Sequence, residues 1–167
     1  MAYELIETIE VGSGGVAALE FTSIPNDGVH LLLLLSSWAD NGEQAFYTTI
    51  NNSGGYVYPQ RYQGFNGSSV QSASRDDNGF FFNFHNHSGT TTNTFSNTSL
   101  LISNYASSSF KSISTESSTE NNSTSSIYNL IHSALYESTS AVSSIKMTQQ
   151  LSGNFVQYTT ASLYKIY

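Results

Sequence analysis

The hydrophobic pattern of the chain centres on Val29–Ser37, VHLLLLLSS, which contains five consecutive leucines. A run this short cannot cross a bilayer, which needs about 20 apolar residues. It shows no alternation of apolar and polar positions, so it predicts a core strand covered on both faces. Turn residues bound it, Pro25-Asn26-Asp27-Gly28 before and Asp40-Asn41-Gly42 after. Such a strand needs two packed layers, and we expect the rest of the chain to wrap it. The core positions are Leu31, Leu32, Leu33, Leu34 and Leu35.

Two further strands are predicted before this run, from alternation over Tyr3–Val11 and Val16–Ile24. A helix is the alternative for the first segment, but a glycine-rich turn at 12–15 follows too soon for a stable one. The apolar face of the first strand is predicted to hold Tyr3, Leu5, Ile9 and Val11.

The middle of the chain has weaker patterns. Ala45–Ile50 and Ser68–Ser74 are predicted short strands, and Pro59 within Tyr56–Tyr62 favours an edge position because proline cannot donate to a ladder. The residues 75–79, RDDNG, predict a hairpin-type turn into Phe80–His85.

The second half alternates more regularly. In Ser96–Asn104, residues Thr98, Leu100 and Ile102 share one face and Leu101 lies on the other. The segment 127–136 fits a helix or a strand, and its β-rich context favours a strand. The remaining predicted strands are Phe110–Glu116, Val142–Thr148 and Ala161–Tyr167.

About ten to twelve short strands with regular turn signals predict an all-β chain. We expect a single-domain antiparallel β-sandwich, jelly-roll-like, over residues 1–167. Its variable, loop-rich part is expected at roughly 38–92.

Charge and composition narrow the function. The formal net charge is −7, and the five basic residues are scattered, so a nucleic-acid partner is not expected. The chain has no cysteine, and its acidic N-terminus lacks the features of a secretory signal, so we expect synthesis in the cytoplasm. Ser, Thr, Asn and Gly make up more than a third of the residues, which predicts a wet, weakly charged surface. No membrane partner is expected.

Six segments of the chain are informative when they are taken together. They are Ala17–Pro25 (AALEFTSIP), Asn93–Asn97 (NTFSN), Ile102–Tyr105 (ISNY), Lys111–Ser114 (KSIS), Ala141–Ser144 (AVSS) and Ser152–Ile166 (SGNFVQYTTASLYKI). Together they resemble a family of small virion structural proteins of tailed bacteriophages, common among aquatic phages. The resemblance covers roughly 1–37 and 93–167. Lys165 stands where the family usually has glycine, Tyr167 extends the end, and Tyr136 stands where tryptophan is common.

The resemblance implies a jelly-roll sandwich on the virion surface, made in the host cytoplasm and without enzymatic activity. A capsid decoration or cement protein is the first expectation, with the major capsid protein or other virion proteins as partners. A homo-oligomer is expected, and a trimer is favoured. The alternative is a receptor- or glycan-binding component of a fibre or tail.

Candidate chemistry is sparse. His85 and His87 have the His-x-His spacing of a metal pair, but no cysteine or carboxylate pair supports a site, so no metal or other cofactor is expected. The segments 40–43 (DNGE) and 76–79 (DDNG) resemble fragments of calcium loops, yet a turn is the favoured interpretation. No G-x-S-x-G motif or phosphate-binding glycine loop occurs, and no catalytic residues are predicted.

The aromatic residues of the middle segment are the candidate contacts of a partner or ligand. Aromatic side chains beside amides build subunit interfaces and sugar platforms, and we favour the subunit interface. The candidates are Tyr56, Tyr58, Tyr62, Phe65, Phe80, Phe81 and Phe82.

Overall fold

The computed structural model describes residues 2–41, 45–52, 58–82, 86–122 and 128–167, with the backbone alone at Phe81 and Phe82. Within these ranges the chain forms thirteen strands and no helix, which confirms the all-β prediction. The strands are β1 (Tyr3–Glu10), β2 (Ala18–Phe21), β3 (His30–Ala39), β4 (Phe46–Ile50), β5 (Tyr58–Phe65), β6 (Val70–Asp77), β7 (Phe80–Phe82), β8 (Asn86–His87), β9 (Ser96–Ile102), β10 (Lys111–Ser118), β11 (Asn129–Tyr136), β12 (Ile145–Gln149) and β13 (Thr160–Ile166).

Two sheets enclose one apolar core and form a β-sandwich. Four strands of the larger sheet run in the order β1-β13-β3-β9, and the smaller sheet runs β2-β12-β4-β7. Consecutive strands β1 to β4 alternate between the sheets, and the chain crosses again before β13. This is the arrangement of an eight-stranded jelly roll, as predicted.

Four more strands extend the larger sheet beyond β9, in the order β10-β11-β5-β6. The short β8 pairs in parallel with the end of β3. The segment 38–92, predicted to be loop-rich, therefore contains β4 to β8. The extension has no counterpart in the smaller sheet, yet the inward positions of β10 and β11 are buried.

The leucine strand occupies a central place but is not covered on both faces. It lies between β13 and β9, and Leu31, Leu33 and Leu35 are buried against the smaller sheet. Leu32 is half-buried on the opposite face, where Leu34 is 42% exposed. The prediction of two-sided burial is therefore wrong. The run hides an ordinary in–out alternation because its outward positions are also leucine.

The first strand also differs from its prediction. Its pairing with β13 contains a bulge between Leu5 and Glu7, and a bulge shifts the strand's alternation by one residue. Tyr3 and Leu5 are consequently exposed, whereas Ile6 and Ile9 pack against the core. The predicted common face of Tyr3, Leu5 and Ile9 is therefore wrong.

Two predictions around β5 and β6 are wrong as well. Pro59 lies on an interior strand, since β5 pairs with both β11 and β6. Proline is tolerated there because the pairing with β11 begins only at Gln60, so no backbone N–H is needed from Pro59 on that side. The turn at 75–79 does not form a hairpin. It carries the chain from β6 in the larger sheet to β7, which pairs with β4 in the smaller one.

The ambiguous segment 127–136 contains a strand over Asn129–Tyr136, with pairing on both sides. Its inward positions are Leu130, His132, Ala134 and Tyr136, all buried. The segment is therefore a strand despite its helix-compatible spacing, because β10 and β5 supply hydrogen-bonding partners for its backbone on both sides.

Three of the segments singled out in the sequence, Ala17–Pro25, Ile102–Tyr105 and Ala141–Ser144, meet at one corner of the sandwich. The hydroxyl of Tyr105 donates to the Pro25 carbonyl and accepts from the Gly28 N–H at 3.1 Å, so it fixes the turn before β3. The carbonyl of Tyr105 accepts from the Val142 N–H at 2.9 Å. These contacts give Tyr105 a packing role at this corner.

Lys165 is buried at the same corner. Its Nζ lies 2.9 Å from Asp27 Oδ2 and 3.2 Å from Glu4 Oε1. The Tyr167 phenol, which donates to Glu4 at 2.7 Å, and the Asp27 carboxylate raise the pKa of Lys165. These contacts connect β1, the turn before β3 and the C-terminus.

Candidate interaction surfaces

An apolar row crosses the outer face of the larger sheet. Leu5, Tyr164, Leu32 and Leu101 are successive direct neighbours on β1, β13, β3 and β9. Directly paired residues share a face of a sheet, so these four side chains form one continuous strip. Leu5 is 52% exposed, and Leu34, two positions along β3, adds a further exposed leucine. We call these five residues the apolar row.

The line of residues that contains Leu34 carries no charge across the four jelly-roll strands. Leu34 is flanked by Ser162 and Ser99, and Thr8 lies beyond Ser162, to whose hydroxyl its own is hydrogen-bonded at 2.8 Å. The next outward residue in this line is Glu116, on β10. This line, from Thr8 to Ser99, can therefore contact another apolar surface without burying a charge.

The outer face of the smaller sheet is polar by contrast. Lys146 and Glu20 are paired across β12 and β2, with Nζ 3.8 Å from Oε2. Thr148, Tyr47 and Thr49 continue this face and line a shallow depression. Of the two outer faces, only that of the larger sheet offers an apolar row among the described residues.

The predicted contact aromatics are divided by the structure. Tyr58 and Phe80 are fully buried and pack on each other with ring centroids 5.4 Å apart, so the expectation that they meet a partner or ligand is wrong. They are core residues because β5 and β7 present them to the space between the sheets. Tyr62 is half-buried and Phe65 is partly exposed, on opposite faces of β5. Tyr56 and the side chains of Phe81 and Phe82 lie outside the described residues.

Of the predicted histidine pair, only His87 can be placed, since His85 lies outside the described residues. His87 is buried, and its Nδ1 accepts a hydrogen bond from the Gly89 N–H at 3.0 Å. Nδ1 of His30 accepts from the Asn104 N–H at 3.2 Å. Within the described ranges no cluster of three or more His, Cys, Asp or Glu side chains is placed to hold a metal ion.

In the two segments that resemble calcium loops, the side chains of Asp40 and Asp77 contact other residues of the protein. The oxygens of Asp40 accept from the backbone N–H and the side-chain amide of Asn154, at 2.7 and 2.9 Å. Asp77 forms an ion pair with Arg75 on the same strand. These contacts agree with turn and strand roles for both aspartates, while Gly42 and Glu43 lie outside the described residues.

A buried polar pair lies where the large sheet extends past the jelly roll. Nε2 of His132 is 2.9 Å from Gln60 Oε1, and Gln60 in turn donates from Nε2 to the Gly79 carbonyl at 3.3 Å. That second bond orients the amide, so His132 must donate from Nε2 and leave Nδ1 unprotonated. Nδ1 is buried without a hydrogen-bond partner in the described part of the chain. Burial, with the nearby positive charge of Arg75, lowers the pKa of His132 to about 4.

This pair predicts a loss of stability in acid. A histidine whose folded pKa lies below its unfolded value of about 6.5 stabilises the fold fully above that value, and the contribution is lost as the pH falls towards 4. We expect roughly 3 kcal/mol less unfolding free energy from this group at pH 4 than at pH 7. His132→Gln keeps a donor towards Gln60 but does not titrate, so urea unfolding of this variant should show a flatter pH dependence. If the unfolding free energies of the wild type and of this variant fall equally between pH 7 and pH 4, the low pKa of His132 is not the cause of the acid instability.

The apolar row was not predicted from the sequence, although part of its signal was visible. Leu101 was placed on the face opposite Leu100 and Ile102, and Leu32 and Leu34 alternate with the buried leucines. What was missing is the cross-strand register, which brings Leu5 and Tyr164 beside them.

Comparison of the chain with protein-family models, with curated proteins and with solved structures found no match. Among the described residues, no helix is long and apolar enough to span a membrane.

Proposed function

We propose that this chain is a non-enzymatic structural component of a phage particle, and more specifically a decoration or cement protein of the capsid. The observation that carries the proposal is the apolar row, a continuous strip of leucines with one tyrosine on an exposed sheet face. Contiguous exposed apolar surface on a soluble domain usually marks an interaction site. The partner is the major capsid protein or another virion protein.

Docking through a sheet face suits this chain better than docking through a sheet edge. The free edge strand β1 carries Glu4, Glu7 and Glu10 and contains a bulge, and both features oppose pairing with another strand. The outer face offers Leu5 and Leu34 instead. Fully burying a leucine side chain contributes about 1.5–3 kcal/mol, before the losses of association. Many such contacts per particle clamp neighbouring capsomers by mass action.

Two further considerations support the phage role. The jelly roll recurs in viral capsid and lectin domains, although the fold alone does not choose a function. Several of the segments that resemble phage virion proteins pack together around Tyr105, and one of them also supplies Tyr164 to the apolar row. We further propose a symmetric homo-oligomer, with a trimer favoured because it suits the symmetry of capsids.

Binding to empty capsids of the phage that encodes the chain tests this function. We expect the wild type to bind and to raise the melting temperature of the capsids. Leu34→Asp places a charge in the apolar row, and we expect at least about tenfold weaker binding because that charge would be buried on docking.

Ile131→Asp is the matched control, since Ile131 is 68% exposed on the same face but lies on β11, outside the jelly-roll strands. It should bind like the wild type. Failure of the wild type to bind, or equal binding by Leu34→Asp, would contradict the proposal. Binding to host cells without affinity for capsids would instead favour a receptor-binding fibre or tail component.

A further inference from the structure

A small pocket with three aromatic walls lies at the end of the larger sheet. Trp38 ends the outward row of β3, Phe95 directly precedes β9, and Tyr158 lies two residues before β13. Ser36 of β3 pairs with Asn97 of β9 and with Thr160 of β13, so the register brings the three aromatic residues together one step further along. The pocket has a volume of 170 Å³. We call it the aromatic pocket.

The backbone around the aromatic pocket is held firmly. The backbone carbonyl of Trp38 accepts a hydrogen bond from the Val156 N–H at 3.1 Å, and the backbone N–H of Trp38 donates to the Thr159 hydroxyl at 3.3 Å. The N–H of Tyr158 donates to the Val11 carbonyl at 3.0 Å. The walls are therefore set in place before any ligand arrives, as in most small-molecule sites.

Tyr158 has an unfavourable backbone conformation that presents its ring to solvent. Its φ is +71°, a region that bulky side chains rarely adopt, and the side chain is 65% exposed. Residues held in this way tend to lie at functional sites, where the surrounding structure imposes the conformation. Packing in the core does not account for the strain, because the ring is mostly in water.

Polar groups without partners accompany the three rings. The side-chain amides of Asn93 and Gln157 line the aromatic pocket, and neither makes a hydrogen bond with another described residue. The indole N–H of Trp38 is buried and also has no hydrogen-bond partner in the described part of the chain. A buried indole N–H usually has one. Because this N–H is closed to solvent, the polar side chains that a ligand can reach here are the amides of Asn93 and Gln157.

We propose that the aromatic pocket binds a neutral hexopyranose. A sugar ring has an apolar C–H face that packs on aromatic rings, and hydroxyls that pair with amides, which matches both groups of lining residues. The lining contains no charged side chain, and the net charge of −7 opposes acidic sugars. The volume suits one ring. This site shares the outer face of the larger sheet with the apolar row but contains none of the row's five residues, and it does not depend on the assembly role.

Trp38 is the only tryptophan of the chain, so its fluorescence reports directly on the aromatic pocket. We expect a saturable change in emission when the full chain is titrated with at least one of glucose, galactose, mannose and N-acetylglucosamine, at millimolar affinity. Tyr158→Gly removes one wall at a position where glycine takes the same φ without strain. It should weaken binding about tenfold or more and leave the melting temperature equal or higher.

Asn93→Gly is the second variant, since Asn93 also has a positive φ, of 64°, and loses only its amide. It should likewise weaken binding. Phe110→Ala, which removes an exposed aromatic side chain elsewhere, should bind like the wild type. The proposal is overturned if none of the four sugars gives a saturable change, or if Tyr158→Gly binds with unchanged affinity. Capsid binding is tested with Leu34→Asp, which changes no residue of the aromatic pocket, so its loss leaves this result unaffected.

Discussion

Leu33→Asp is expected to leave the chain unfolded at neutral pH, whereas Leu34→Asp, one residue later, should fold normally. Leu33 is fully buried in the centre of the larger sheet, between Leu163 and Leu100 on the neighbouring strands. A carboxylate there is surrounded by buried apolar side chains and costs several kcal/mol. Domains of this size are typically stable by only about 5–15 kcal/mol.

The comparison of the two variants makes this test specific to the face of the strand. Both carry the same substitution on the same strand, and they differ only in the side of the sheet that receives the charge. Circular dichroism and urea unfolding of both proteins measure the effect. If Leu33→Asp unfolds with the same midpoint as the wild type, or if Leu34→Asp is also unfolded, the assignment of the inner and outer faces of β3 is wrong.

The leucine run shows how far the sequence leads. Its length and its flanking turns were enough to place a central strand in a two-layer fold, and the spacing of strands was enough for a jelly-roll-like sandwich. Hydropathy could not separate Leu32 and Leu34 from Leu33, because all positions of the run are equally apolar. Leu32 and Leu34, which the hydropathy pattern predicts to be core residues, point outward and belong to the apolar row.

The aromatic residues of the middle segment show the opposite limit. Tyr58 and Phe80 were expected at a surface because they lie among turn residues in a weakly patterned segment. The structure puts them in the core, since the chain crosses from β6 to the smaller sheet and brings Phe80 over Tyr58. A crossing of this kind depends on pairing between β7 and β4, which no local pattern reports.

Both candidate sites are assembled from distant parts of the sequence. The aromatic pocket joins Trp38, Phe95 and Tyr158, each in a different segment with its own local pattern. The apolar row joins four strands in the same way. Individual positions were visible in the sequence, but their proximity follows from the register of β3 with β9 and β13, which only the folded sheet defines.

Gly64→Ala is expected to lower the unfolding free energy by about 3 kcal/mol, although nothing in the sequence around it marks this glycine. Gly64 lies on β5 opposite Leu130 of β11. A Cβ at this position would overlap with the Leu130 side chain and with the backbone carbonyl of Asn129, well inside van der Waals contact. The leucine can turn away, but the carbonyl belongs to the strand itself, so the two strands must separate.

The separation has a second consequence that distinguishes local damage from general loss of stability. The same pairing of β5 with β11 holds Gln60 close to His132. Opening it admits water, so the pKa of His132 should rise from about 4 towards the ordinary value. NMR titration of the His132 ring measures this shift, and urea unfolding measures the stability. Gly14→Ala is the control, because a Cβ there meets no atom within 4 Å and should alter the unfolding free energy by less than about 1 kcal/mol. A Gly64→Ala variant with wild-type stability and an unshifted His132 would mean that β5 lies farther from β11 than the register between Gly64 and Leu130 requires.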